Sequence, residues 1–197
     1  EAVNTMLSAV GEPPIASLDE QKNVDAAMAK NILGEVDREI QTQGWHFNTQ
    51  WGVTLTPDST TNFINLGDNV VRVDIDDRAS SPADSRDIAQ RGDRLFNRTD
   101  NTYEFSSTVK ATVTYLLSWT ELPEPALRYI TVKAARVFQD RMVGSQAHHA
   151  FSREDEVRAL SLLKEFEGDT ADHSVFDNFD VFRIVNRPDA LGHGSIR

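Results

Sequence analysis

Gly11-Glu12-Pro13-Pro14-Ile15 opens the stretch whose reading decides the fold, and Gly44-Trp45-His46-Phe47-Asn48 closes it. Between them, residues 23–43 carry a helical pattern. Val24, Met28, Ile32, Val36 and Ile40 recur every four residues with Ala27 and Leu33 beside them, which predicts an apolar stripe facing a core. Lys30, Asp37, Arg38, Glu39 and Gln41 fall on the other face, which is expected to be wet. At ~1.5 Å per residue this is a helix of roughly 30 Å, the spine of a small body. Gly34 interrupts it at a cost of about 1 kcal/mol relative to Ala, which predicts a close packing partner there. Gly44 is the expected stop, because glycine takes the left-handed cap conformation cheaply. Past it the period changes from 3.6 to 2, Trp45, Phe47 and Thr49 alternating with His46, Asn48 and Gln50, so a strand is expected to follow.

Outward from this stretch, Val3, Met6, Leu7 and Val10 predict a short preceding helix capped by Gly11, and Pro13-Pro14 an extended turn after it. Downstream, strand signals dominate: 51–55, 63–66, 70–75, and 109–115, where Val109, Ala111, Val113 and Tyr115 alternate with Lys110, Thr112 and Thr114. Residues 76–91 are almost devoid of apolar side chains and read as a long exposed loop. Thr99-Asp100-Asn101, between 94–98 and 102–105, predicts a hairpin. After Leu122-Pro123-Glu124-Pro125, helical spacing returns in Leu127, Ile130, Ala134, Val137, Phe138 and Met142. Ser152-Arg153-Glu154-Asp155 resembles a capping box opening a last helix that ends at Gly168.

The predicted fold class is therefore α+β: an antiparallel helical bundle from the N- and C-terminal helices, with an antiparallel β-sheet or sandwich inserted between them. The expected division is a helical domain from 1–44 and 122–167, a β domain over 45–121, and an extended C-terminal arm over 168–197. Phe176, Phe179, Val181, Phe182 and Ile184 give that arm too much apolar bulk for an ordinary disordered end, so it is expected to bury on a neighbouring subunit or another partner, or on its own bundle.

Composition narrows the function. The 197 residues carry 31 acids against 20 bases, a net charge of −11, which argues against gripping nucleic acid by neutralising phosphates; it is compatible with a wall that DNA must slide past, and more simply with acidity that serves solubility. Cysteine is absent, which removes disulfides and thiolate chemistry. No stretch approaches the ~20 apolar residues of a membrane span and no leader pattern opens the chain, so a soluble protein is expected. The chain starts on Glu1, and N-terminal residues beyond it are expected.

Catalytic patterns are thin. His148-His149 lack the spacing of a metal motif, and Asp74, Asp76 and Asp77 lack a glycine-bearing cation loop. Arg91-Gly92-Asp93 spells an adhesion tripeptide that a turn also explains. Glu121 and Glu124 form a carboxylate pair of the glycosidase kind with no sign of a raised pKa, and Gly192-His193-Gly194 stands isolated near a terminus. No metal, cofactor or catalytic residue is assigned. The enzymatic alternative is a polysaccharide hydrolase using Asp or Glu as acid and base.

Asn4-x-x-Leu7-x-x-x-Gly11-Glu12-Pro13-Pro14, then Asp25-Ala26, Ile32-Leu33, Arg38-Glu39-Ile40-Gln41 and Gly44-Trp45-x-Phe47-Asn48 resemble the tail tubular protein A family, the head-to-tail adaptors of short-tailed, T7-like bacteriophages. The resemblance resumes at Trp119-x-x-Leu122-Pro123-Glu124, Arg128-Tyr129-Ile130, Lys133-Ala134-Ala135-Arg136, Phe138 and Arg141. Across 57–110 it is confined to Arg94-Leu95-Phe96-Asn97-Arg98-Thr99. It implies a non-enzymatic virion protein at the head–tail junction, made in the bacterial cytoplasm. The implied assembly is a homo-oligomeric ring, a dodecamer in the virion, between the portal protein and a tail nozzle of the tail tubular protein B kind. Double-stranded DNA would pass through it without specific binding, and no membrane is involved.

Overall fold

The computed structural model describes residues 1–16, 24–75, 86–142, 144 and 146–170. Two helices, α1 (Ala2–Ala9) and α2 (Val24–Gln41), precede five strands: β1 (Thr49–Leu55), β2 (Val70–Ile75), β3 (Ile88–Arg91), β4 (Arg94–Asn97) and β5 (Val109–Tyr115). Helices α3 (Glu124–Met142) and α4 (Gln146–Thr170) follow. The fold is α+β, with the strands between two pairs of helices in the chain.

α1 ends as expected. The Glu12 amide donates to Leu7 O at 3.0 Å and the Gly11 amide to Ser8 O at 3.2 Å, a paired closure that requires Gly11 at φ +83°. Val3, Met6 and Leu7 enter a helical core with Ile32, Val36 and Ile40 of α2, Ala126, Ile130, Ala134 and Phe138 of α3, and Ala159 and Leu163 of α4. Leu122 is buried in this core, while Trp45, Phe47 and Trp119 pack half-buried against it.

Helix α2 corrects the predicted stripe. Ala26 and Ala29 lead its buried face; Val24 is 73% exposed, and Ala27 and Met28 are exposed. Four residues turn a helix by about 400°, so an every-four series drifts ~40° per step and five members cannot share one face. Gly34 is exposed and nothing lies within 4 Å of where its Cβ would stand, so it marks no close contact. Gln41, assigned to the wet face, is completely buried. The residues after Gly44 form a 3₁₀ turn, His46–Asn48, before β1 begins, so Trp45 and Phe47 are not strand residues. At the other end of the chain, α4 already starts at Gln146, not at Ser152, and runs through Gly168.

β5 is the centre of a three-stranded antiparallel sheet, order β1-β5-β2. β1 is bulged between Gln50 and Val53, with Gly52 at φ +68°. β3 and β4 form a separate two-stranded hairpin. Val109, Ala111 and Val113 of β5 share one apolar cluster with Val73, Ile88, Leu95, Ile64, Leu66 and Phe105. Residues 63–66 do not form the expected strand: Phe63 bridges to Glu104 and Asn65 to Arg94, so the segment changes partner within three residues. The turn at 99–101 exists, organised by Asn97 Oδ1 accepting from the Thr99 and Asp100 amides, but pairing across it stops at Asn97 and Thr102. β4 instead pairs with β3 across Gly92-Asp93. That two-residue loop carries Gly at its first position at φ +64°, as a type II′ turn needs.

Candidate functional site

The helical and β parts meet through polar groups. Gln41, on the last turn of α2, reaches the chain where it leaves β5: its Nε2 donates to Leu117 O at 3.1 Å and its Oε1 accepts from the Leu117 amide at 2.8 Å. Its Nε2 also donates to Asp37 Oδ1 at 2.9 Å. Asn48 donates through Nδ2 to Gln41 O at 2.9 Å and Tyr115 O at 2.8 Å, and its Oδ1 accepts from the Trp45 amide at 2.9 Å. Trp45 Nε1 donates back to Ile40 O at 2.8 Å. Such a network holds a fixed geometry because any member left unpaired in the interior costs about 1–3 kcal/mol. Gly44, at φ +79°, lets the chain pass: a Cβ there would stand 3.3 Å from Thr114 Oγ1. The end of α4 joins this neck through Glu167 Oε2, which accepts from the His46 amide at 2.6 Å. Burial at the neck raises the Asp37 carboxyl above its ordinary value, opposed by the hydrogen bond from Gln41.

Ion pairs set the helices against one another. Arg136 of α3 binds Glu156 of α4 and, at 3.1 Å, Asp140; the Glu156 hydrogen bond is the main reason its guanidinium pKa is raised. Lys133 to Glu39 and Arg141 to Glu35, both at 2.9 Å, tie α3 to α2. The exposed Arg141 pair contributes less than about 1 kcal/mol, so it sets orientation more than stability.

A third cluster stands on the β3-β4 hairpin, on the side opposite the β core. Leu95 points into that core, so its neighbour Phe96 points away by the period of two. The Arg91 guanidinium lies 3.5 Å from the Phe96 ring centre, Tyr103 meets Phe96 edge-on at 4.9 Å, Phe63 meets Tyr103 at 6.3 Å, and Arg94 lies 5.2 Å from Phe63. The result is a ladder of three rings closed at each end by a cation, held by quadrupole electrostatics.

The sequence candidates disperse. Arg91-Gly92-Asp93 is the hairpin turn itself: Arg91 lies on Phe96, and Asp93 O accepts from the Leu66 amide at 2.7 Å. Glu121 caps the 3₁₀ turn Trp119–Glu121, its Oε2 accepting from the Ser118 hydroxyl at 2.7 Å and amide at 2.9 Å. Those bonds, the hydroxyl first, lower its pKa, the reverse of what a general acid needs. Asp74 is exposed on β2 and accepts from the Ile75 amide at 2.9 Å. Asp76, Asp77, Gly192-His193-Gly194 and the arm residues Phe176, Phe179, Val181, Phe182 and Ile184 lie outside the described residues, as do the side chains of His148 and His149. No helix among the described residues is long and apolar enough to cross a membrane.

Sequence reasoning missed Gln41, Asn48 and Thr114 as buried polar residues. The available signal was their position: Gln41 ends the helix, Asn48 follows an aromatic pair, and Thr114 sits on a polar phase of the central strand. A family model described as tail tubular protein matches residues 1–173, and no curated protein matches the chain.

Proposed function

Because the chain belongs to the tail tubular protein family, we propose that it is a head-to-tail adaptor, a ring of identical copies seated between the portal protein and the tail nozzle. Family membership makes it a structural component of a bacteriophage tail, and that match over 1–173 is the observation that carries the reading. The finer assignments follow the resemblance to the tail tubular protein A adaptors. We divide the chain into a helical domain over 1–44 and 122–167, a β domain over 45–121, and an arm over 168–197. The helical domain packs in the ring and against the portal, and the β domain faces the nozzle. The polar neck around Gln41 and Asn48 fixes the angle between them, which a repeated closed ring requires to be the same in every copy.

The mechanism is mechanical and electrostatic. The ring extends the portal after packaging and lines part of the conduit during ejection. With twelve copies of a −11 chain it carries about −130 charges, which keeps double-stranded DNA from adhering as it slides. The chain is made in the host cytoplasm and ends in the virion at the head–tail junction. Phe176, Phe179, Val181, Phe182 and Ile184 on the arm reach a neighbouring copy or the portal.

Electron microscopy of the full chain, alone and mixed with its portal complex, tests this alongside native mass spectrometry. The expected result is a ring on the tail-side end of the portal that is lost on truncation after Asp172. A persistent monomer that ignores the portal overturns the adaptor reading.

A further inference from the structure

The ladder on the hairpin is placed and composed as a receptor. Arg91 forms no ion pair among the described residues, and Arg94 only a loose one, 3.9 Å to Asp93. Both guanidiniums lie by an aromatic ring, which leaves N–H edges for a carboxylate, and Tyr103 is 36% exposed between them. Aromatic and arginine side chains together are the composition of interface hot spots. The face does not fit DNA: over residues 86–105, Asp87, Asp93, Asp100 and Glu104 balance Arg86, Arg91, Arg94 and Arg98, so there is no net charge to release counterions.

The chain itself carries the complement. Phe176-Asp177-Asn178-Phe179-Asp180-Val181-Phe182 alternates aromatic rings with carboxylates and contains no base. Placement favours a neighbour's copy of it. The arm leaves from the end of α4, where Glu167 is tied to His46 in the turn that leads into β1. The hairpin contacts the sheet along β2, through Gln90 Nε2 to Val70 O at 3.1 Å. β1 and β2 are opposite edges of the sheet. A donor on one side and a receptor on the other is the arrangement a head-to-tail ring needs.

We propose that residues 176–182 of one copy dock on the face that Arg91, Arg94, Phe63 and Tyr103 form over the buried Phe96 ring of the next copy. Phenylalanine rings extend the ladder, and Asp177 and Asp180 take the guanidinium edges. The proposal rests on the ring reading and adds which surfaces meet.

The absence of cysteine gives a clean test. Full-length Tyr103→Cys and Phe179→Cys chains are mixed under mild oxidation and the products are weighed by mass spectrometry. The mixed disulfide is expected to exceed either homodimer by far more than the twofold that random pairing of equal amounts gives; a twofold ratio would overturn the proposal. Asp177→Arg/Asp180→Arg on the Phe179→Cys chain should reduce it by about tenfold, and Arg91→Asp/Arg94→Asp on the Tyr103→Cys chain should restore it. The double variant Tyr103→Cys/Phe179→Cys should give a ladder of linked copies; a bridged monomer would place the arm on its own chain and overturn the proposal. Loss of the mixed product on adding duplex DNA would make the face a DNA surface and likewise overturn it. Wild-type rings on the portal with no mixed disulfide would sink this pairing and leave the adaptor reading standing. A wild-type chain that stays monomeric with its portal would remove both.

Discussion

The helical core and the neck below it solve opposite problems. In the core, the side chains of Phe138, Ile130, Ile40 and Leu163 are completely buried and carry no hydrogen-bonding group, so their contribution is apolar area and fit. In the neck, Gln41 and Asn48 are as deeply buried, yet each is held by hydrogen bonds with a single satisfying geometry. Apolar packing tolerates small rotations of one element on another; a bidentate amide clamp does not. Stability is therefore concentrated in the core and orientation in the neck.

The largest effect should come from the core. Phe138→Ala opens a cavity in the core that α1, α2, α3 and α4 share and is expected to cost about 3–5 kcal/mol. Urea unfolding followed by circular dichroism measures it. A loss below about 1 kcal/mol would mean that the helices collapse around the gap, and the contrast between a packed core and a directional neck would fail.

Next comes Gln41→Ala, which leaves the half-buried Leu117 amide and carbonyl without their partner and is expected to cost about 1–3 kcal/mol. The comparison demands more than a number here. With the clamp gone, the helical and β parts should unfold in two steps where the wild type shows one, and hydrogen exchange at Leu117 should rise before exchange at Phe138. A single transition with uniform exchange would show that the neck couples nothing.

How far the sequence carried this picture depends on which physics set each element. α1 and its Gly11 closure, the body of α2 and strand β5 follow local period and cap chemistry, and all were readable. Val24 and Met28 were misplaced because spacing by fours was extended over five steps. Gln41 was misplaced because its burial is decided by Leu117, 76 positions away, and no local pattern carries that. The Arg91–Phe96 contact depends on the register of β3 on β4, which Gly92 fixes; Arg91-Gly92-Asp93 by itself is compatible with an adhesion motif or a turn and carries no register. Phe63 to Leu66 has strand composition, but Asn62 at φ +58° and a change of partner prevent a continuous ladder.

A smaller change sharpens the contrast from the exposed side. Gly34→Ala enters open space on the wet face of α2, so it should stabilise by about 0.5–1 kcal/mol through helix propensity alone. A loss on thermal unfolding would reveal that this face packs on something in solution.

The smallest effect concerns Asp37, where core and neck meet. Its carboxyl pKa is raised, with burial as the main cause, so the folded chain holds that proton more tightly than the unfolded chain does. The stability this adds is complete below the ordinary carboxylate value of 3.8 and is lost as pH climbs through the raised pKa. At neutral pH the charged group therefore works against folding, relieved in part by the Gln41 amide. Asp37→Asn keeps an oxygen for that amide and removes the charge. It should raise the urea midpoint slightly at pH 7 and leave it unchanged at pH 3. A lowered midpoint at pH 7 would mean that the negative charge itself holds Gln41 in place, and the neck would then depend on electrostatics as well as on hydrogen-bond geometry.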